Sequence, residues 1–336
     1  MGTYIVQGGR RITGEFDVRG SKNGALPMLA ACVLAADEVV LENLPQIRDV
    51  LQTLEILRDL GCMVRQTGRT VCIDSSTLSK TEVTGEQAGK MRSSILFLGA
   101  LLGRTGEARL TYPGGCAIGK RPIDLHLAAF RSMGVSVAEE KGILECRVVP
   151  ITGAVIHLPF PSVGATENIL LLAVKAEGVT VIHNAAREPE IVALVRFLRA
   201  MGAEIYGEGT DCILIEGVQH LHGAVYTVPG DRIEGGTFLC AAAMTGGELR
   251  LKGLEREQMG AVLEVLRRCG CRFLWEESDL LWMKPPARLQ GGISIVTGPF
   301  PAFPTDMQPL LMSLLTLAKG SCMISETVFE ARFSQA

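Results

Sequence analysis

The sequence predicts an α/β protein of two domains assembled from a repeated unit of about 71 residues, and three observations carry that prediction. One helix ending recurs four times. Each recurrence is preceded by the same order of apolar helix, strand and second helix. The length, 336 residues, exceeds what one ordinary domain of about 100–200 residues holds.

The recurring ending is Leu57-Arg-Asp-Leu-Gly61, Phe130-Arg-Ser-Met-Gly134, Leu198-Arg-Ala-Met-Gly202 and Leu266-Arg-Arg-Cys-Gly270, each followed by strand-like residues. The four glycines are 73, 68 and 68 residues apart. Glycine suits such a place because it closes a helix in the left-handed conformation without a Cβ penalty. Upstream, each unit opens on a polar start: Ser21-Lys-Asn, Arg92-Ser-Ser, Ala165-Thr-Glu-Asn, Asp231-Arg-Ile-Glu and Thr305-Asp-Met. Strands are expected at 39–43, 108–112, 179–184 and 248–253. A sixth start would fall near position 376. Two readings stand: an asymmetric repeat protein, or a three-plus-three protein whose second domain is incomplete. Val228-Pro-Gly230 marks a hinge, which predicts one domain at 21–230 and another made of 1–20 and 231–336.

Composition bounds the function classes. Hydrophobic residues at 47% and charged residues at 21% supply large cores and exclude a disordered chain. A net charge of −3 argues against broad coating of nucleic acid or an acidic membrane, so any anion site is local. The uncharged runs 23–36 and 289–305 are too short or too broken by Gly and Pro to span a bilayer. Arg10, Arg11, Glu15, Asp17 and Arg19 interrupt any apolar leader, and ten cysteines without a paired framework read as reduced thiols of a cytoplasmic protein.

The second unit departs from the pattern. From strand end to closing glycine the others take 17 or 18 residues and this one takes 22, an insertion that falls in Pro113–His126. Extended loops on regular scaffolds carry function. Cys116 stands there among glycines and ahead of Lys120 and Arg121, whose charge favours a thiolate; the bland alternative is one more packing cysteine. Arg121-Pro122 presents a guanidinium suited to phosphate or carboxylate. Lys22 and Asn23 after Gly20, and Ser162-Val163-Gly164, open helices in layouts that bind anions or simply cap. Asp306 reads either as a carboxylate at a helix start or as a general base. Cys269 and Cys271 lack the second pair that zinc needs, and His220 and His222 read as surface residues.

Taken together, Ser21-Lys-Asn-Gly-Ala-Leu-Pro27, Gly114-Gly-Cys-Ala-Ile-Gly-Lys-Arg-Pro-Ile-Asp-Leu-His126, Pro161-Ser-Val-Gly-Ala-Thr-Glu-Asn168, Asn184-Ala-Ala-Arg-Glu-Pro-Glu190, Asp231-Arg-Ile-Glu-Gly-Gly-Thr-Phe238 and Phe303-Pro-Thr-Asp-Met-Gln308 resemble the UDP-N-acetylglucosamine 1-carboxyvinyltransferases. The resemblance runs from residue 1 to about 333. 5-Enolpyruvylshikimate-3-phosphate synthase shares the fold but lacks the Gly-Gly-Cys loop.

The resemblance implies a two-domain inverse α/β barrel of the enolpyruvyl transferase type, with the N-terminal strand in the second domain. It implies transfer of enolpyruvyl from phosphoenolpyruvate to the 3-hydroxyl of UDP-N-acetylglucosamine, the first committed step of peptidoglycan synthesis. Carried over by position, Cys116 is the general acid and the thiol alkylated by fosfomycin, and Asp306 is the base. Lys22 and Arg121 hold phosphoenolpyruvate and Asn23 the sugar. Arg92, the segment Arg121, Pro122, Ile123, Asp124 and Leu125, then Ser162, Val163, Gly164 and Val328 line the nucleotide. The expected partners are the two substrates, with no cofactor, metal, nucleic acid or membrane; the oligomeric state is open. Two departures accompany the resemblance: the family's last unit is absent, and Ala331 replaces Asn in Phe-Glu-Asn-Arg-Phe while Arg332 remains. An inactive homologue that only binds UDP-N-acetylglucosamine, or a fragment that pairs with another chain, are the alternatives.

Overall fold

The computed structural model describes residues 3–85, 91–114 and 122–336. The chain divides into two compact bodies, Gly20–Pro229 and the discontinuous pair Met1–Arg19 with Gly230–Ala336. Strand β1 (Gly14–Asp17) belongs to the discontinuous body. The continuous body then runs α1 (Lys22–Ala31), β2 (Glu38–Glu42), α2 (Arg48–Asp59), β3 (Met63–Thr67), β4 (Thr70–Asp74), β5 (Glu82–Val83), a 3-10 turn at Arg92–Ile95, α3 (Leu96–Thr105), β6 (Glu107–Thr111), α4 (Asp124–Ser132), β7 (Ser136–Glu140) and β8 (Ile143–Arg147). It ends with β9 (Val155–His157), α5 (Val163–Ala173), β10 (Val179–His183), α6 (Pro189–Ala200), β11 (Glu204–Tyr206), β12 (Cys212–Glu216) and β13 (Val225–Thr227). The discontinuous body resumes with α7 (Arg232–Thr245), β14 (Leu249–Lys252), α8 (Gly260–Arg268), β15 (Arg272–Trp275), β16 (Leu280–Lys284), β17 (Ser294–Val296), a 3-10 turn at Thr305–Met307, α9 (Gln308–Leu315) and β18 (Met323–Ser325).

Four sheets share one plan: β13-β2-β4-β3, β5-β6-β8-β7, β9-β10-β12-β11 and β1-β14-β16-β15. In each the first pair is parallel and the other two are antiparallel. For β6 and β10 the parallel edge strand, β5 or β9, comes from the end of the preceding unit. In the continuous body β13, at its very end, supplies the edge for β2 and so closes the ring; in the other body β1 is the parallel edge strand beside β14. Among the described residues, β17 and β18 form a parallel pair alone.

Strands keep one face inward: Ala108 and Leu110 of β6 are buried while Glu107 and Arg109 are exposed. The first helix of each unit in the continuous body is interior. Helix α1 is buried from Gly24 to Ala31, α3 from Leu96 to Gly103 and α5 from Ala165 to Ala173. A helix apolar all round must lie inside. The second helices bury one stripe, with Phe130 of α4 and Phe197 of α6 fully enclosed. Gly61, Gly134, Gly202 and Gly270 all adopt positive φ, between 92° and 97°, which is the left-handed closure the repeat predicts.

Helices α3 and α5 approach through glycine. A Cβ on Gly99 would lie 2.5 Å from the Asn168 carbonyl oxygen, and one on Gly103 would lie 3.1 Å from that of Leu171. Gly99→Ala is therefore expected to push the two interior helices apart and destabilise the body by about 1–3 kcal/mol or more, measured as a lower urea midpoint with unchanged m-value.

The structure refines the sequence reading at one unit start, in the form of another and in the inserted loop. The third begins at Ser162, the residue read as opening or capping that helix, and not at the Ala165 of the unit comparison, because the Ser162 hydroxyl accepts the Ala165 N–H. The second opens as the 3-10 turn Arg92–Ile95 before α3 forms. The inserted loop is shorter than drawn, because α4 has already started at Asp124, with Ile123 as its cap residue.

Candidate active site

In the continuous body the candidate residues gather at helix starts. Ser21 caps α1, its Oγ accepting from the Gly24 N–H at 3.1 Å. The bend before it needs Gly20, where a Cβ would meet the Asn43 carbonyl oxygen at 1.9 Å. Lys22 is thereby presented on the first turn, and its ammonium lies 3.0 Å from Asp49 Oδ2 on the first turn of α2. Both side chains are nearly half exposed, so the pair holds the lysine in place without removing it from solvent. Asn23 follows it, half-buried.

A second group lies around α4 and α5. Arg92 donates from its guanidinium to the Pro122 carbonyl oxygen at 3.1 Å. Pro122 is exposed, Ile123 is buried, and Asp124 and Leu125 form the first turn of α4. Ser162, Val163 and Gly164 are half-buried at the start of α5. Gly164 abuts His126, so that a Cβ there would lie 3.3 Å from the ring Cε1. The fold thus brings Arg92, residues 122–125 and residues 162–164 to one neighbourhood, while Lys22 keeps company with Asp49. Cys116 and Arg121 lie outside the described residues.

His126 and Asn168 close two of the motifs quoted above, but the sequence assigns neither a role. His126 is buried at 3% exposure, with Nδ1 3.0 Å from Asn168 Nδ2. Burial, then the Arg92 charge, pulls its pKa down to about 3 from an ordinary 6.5. A lowered folded-state value means that the neutral ring supports the fold fully above pH 6.5, and that this support fades as pH falls from 6.5 towards 3. Between pH 6.5 and 4 the protein is therefore expected to lose stability faster than His126→Asn, by up to about 1.4 kcal/mol per pH unit, read from paired melts. Further along α5, Glu167 is buried; burial, followed by Glu190 and Glu188, raises its carboxyl well above the ordinary range and favours the neutral acid.

In the discontinuous body Asp306 sits on the 3-10 turn before α9, and its Oδ1 accepts from Arg332 at 2.7 Å. Arg332 is mostly buried and Asp306 is 40% exposed. Glu326 ties the same region together. It accepts the Thr305 hydroxyl at 2.9 Å through one oxygen, and the Val328 and Phe329 N–H groups at 2.8 and 3.1 Å through the other. Asp306 and Val328 are thus held in one small assembly whose organiser, Glu326, sequence reasoning missed.

Nine described cysteines are free, six of them buried. Burial pushes the Cys62, Cys146 and Cys269 thiols up to about 11 and those of Cys240 and Cys271 to about 12. These are inert packing groups. His220 and His222 are exposed. Among the described residues no helix is long and apolar enough to cross a membrane, and no cluster of three metal-ligating side chains forms.

The family model for EPSP synthase (3-phosphoshikimate 1-carboxyvinyltransferase) matches residues 6–336. A UDP-N-acetylglucosamine 1-carboxyvinyltransferase of Symbiobacterium thermophilum is 48% identical over 339 residues, 99% of this chain and 76% of the relative. A second relative of that name, from Caldanaerobacter subterraneus subsp. tengcongensis, is 45% identical over 333 residues, 99% of this chain and 80% of the relative. Among solved structures, the enolpyruvyl transferase NikO of Streptomyces tendae superposes with a TM-score of 0.83 at 24% identity, over 95% of this chain and 76% of its own. EPSP synthase of Acinetobacter baumannii gives 0.69 at 23% identity, over 95% and 75%. The architecture is therefore the two-domain inverse α/β barrel of enolpyruvyl transferases, with interior helices behind the sheets of the continuous body.

Proposed function

We propose, because this chain belongs to the EPSP synthase family and within it to the UDP-N-acetylglucosamine 1-carboxyvinyltransferases, that it transfers enolpyruvyl from phosphoenolpyruvate to the 3-hydroxyl of UDP-N-acetylglucosamine and releases phosphate. The observation that carries the reading is 45–48% identity sustained over 99% of the chain. It is supported by helix starts that present Lys22, Arg92 and the Ser162–Gly164 backbone, groups suited to clustered anions.

The reaction is an addition followed by an elimination. The 3-hydroxyl oxygen bonds to C2 of phosphoenolpyruvate while C3 gains a proton, giving a tetrahedral intermediate. The C2–O bond to phosphate then breaks, and a C3 proton leaves to restore the double bond. Cys116 is the proton donor to C3 and Asp306 takes the hydroxyl proton. Lys22 and Arg121 neutralise the phosphate and carboxylate of phosphoenolpyruvate. Asn23 meets the sugar; Arg92, residues 121–125 and 162–164, and Val328 hold the nucleotide. Phosphoenolpyruvate and a UDP-sugar are cytoplasmic metabolites, so the enzyme works in the cytoplasm at the first committed step of peptidoglycan synthesis, where it bears on cell shape and division.

The test is inorganic phosphate release with both substrates present, run beside a curated relative, together with calorimetry for UDP-N-acetylglucosamine. Release that requires both substrates is expected. Heat of binding without release would reduce the protein to a nucleotide-sugar binder, and the absence of both signals would overturn the reading.

A further inference from the structure

The turn Arg92–Ile95, whose Arg92 is assigned above to the nucleotide, and the two segments so assigned, Pro122–Leu125 and Ser162–Gly164, are joined by one buried side-chain pair. Asn168 Oδ1 accepts the Gly99 N–H at 2.9 Å, which fixes the orientation of the amide. Its Nδ2 donates to the Ile95 carbonyl oxygen at 2.8 Å and lies 3.0 Å from His126 Nδ1. With both amide hydrogens donated, Nδ1 of His126 is the acceptor and the ring proton sits on Nε2. That Nε2 and the neighbouring Cε1 form the edge facing Gly164, at 3.5 and 3.3 Å from the position a Cβ would take. The ring therefore spans from the start of α4 to the start of α5, and through Asn168 to the turn that carries Arg92.

We infer that His126 is a positioning residue for the nucleotide sugar: clamped by Asn168 and seated against Gly164, its ring sets the spacing of the three helix starts that grip the UDP group. The inference rests on the proposed function. Its physical basis is that groups contacting a ligand keep their geometry only when the shell behind them is locked by packing and hydrogen bonds, and displacements of order 1 Å are felt in binding. The side chain is buried, so it acts through the backbone it supports.

Two isosteric halves of the ring separate the two contacts. His126→Asn keeps an acceptor where Nδ1 stands and loses the edge against Gly164. His126→Gln keeps a donor where Nε2 stands and loses the acceptor for Asn168; His126→Ala loses both. In calorimetry at a temperature where melts show every variant folded, His126→Ala is expected to weaken UDP-N-acetylglucosamine binding about 10-fold, with Asn and Gln each recovering part of it. Gly164→Ala, which presses a methyl against the ring, is expected to weaken binding at least threefold more in the wild-type background than beside His126→Asn, where that edge is gone. Wild-type binding with all His126 variants within twofold of it, or purely additive losses with Gly164→Ala, overturns the inference. If His126→Ala fails to fold, the Asn and Gln variants and the Gly164→Ala coupling decide it by the same thresholds. Absence of binding by the wild type is the distinct outcome that removes the proposed function and the inference with it.

Discussion

Replacing Cys116 by alanine is expected to lower phosphate release by about 10²–10⁴-fold, the range a positioned general acid contributes. The substitution removes the proposed proton source for C3 while leaving the proposed ligands Lys22, Arg92 and residues 162–164 to bind. The loss should therefore appear in kcat, with UDP-N-acetylglucosamine affinity held within a few-fold. A companion measurement uses an electrophilic epoxide phosphonate followed by peptide mass analysis. Alkylation should fall first on Cys116, because burial raises the Cys62, Cys146, Cys240, Cys269 and Cys271 thiols to about 11–12 and leaves them unreactive. Cys212, the one exposed thiol among the described cysteines, is the internal reference for unselective labelling. Near-wild-type turnover in Cys116→Ala, or labelling no faster than at Cys212, would remove Cys116 from the chemistry.

Asp306→Asn is expected to cost a similar factor of about 10²–10⁴, and for a different reason. Asparagine retains an oxygen that can accept from Arg332, so the turn at Thr305–Met307 and its link to the C-terminal segment should survive. What disappears is a group able to take the hydroxyl proton as the oxygen attacks C2. Stopped reactions should show both substrates bound and little tetrahedral intermediate formed. The contrast is Glu326→Gln, which loosens the contacts to Thr305, Val328 and Phe329 and should act through stability and KM more than through kcat. Asp306→Asn with unaltered kcat would mean that the carboxylate is a structural partner of Arg332 and that the base lies elsewhere.

Much of the molecule was legible because its information is local and repeated. A left-handed helix closure demands glycine, so Gly61, Gly134, Gly202 and Gly270 announce four unit ends, and all four have the positive φ that the pattern requires. Strand periodicity placed β2, β6, β10 and β14 within a residue or so at each end. Comparison of the units sets the third start at Ala165, because Thr166, Glu167 and Asn168 are polar and look like a helix opening, whereas the small residues Ser162-Val163-Gly164 point to the start the structure has. Thr166, Glu167 and Asn168 are in fact interior residues of α5, and the true cap is Ser162. A polar residue satisfied across the core is indistinguishable, in one dimension, from a polar residue facing water. The same ambiguity concealed His126: its partner lies 42 residues away, on another helix. Glu326 was concealed in the same way, since Thr305 lies 21 residues before it.

By itself, then, the sequence determined the repeat, the helix ends, the family and the residue types available for proton transfer and anion binding. Each of these is written in neighbouring residues or in motifs that keep their order along the chain. Only the tertiary structure decided which unit supplies each sheet's parallel edge strand, that α3 and α5 touch through Gly99 and Gly103, and that His126, Asn168 and Gly164 form one contact. It also decided that Arg332 answers Asp306. The reason is that helical and strand periodicities report only neighbours two to four positions apart. A buried hydrogen bond is selected by geometry after the chain has folded back on itself, and it leaves no periodic trace in the residues that make it.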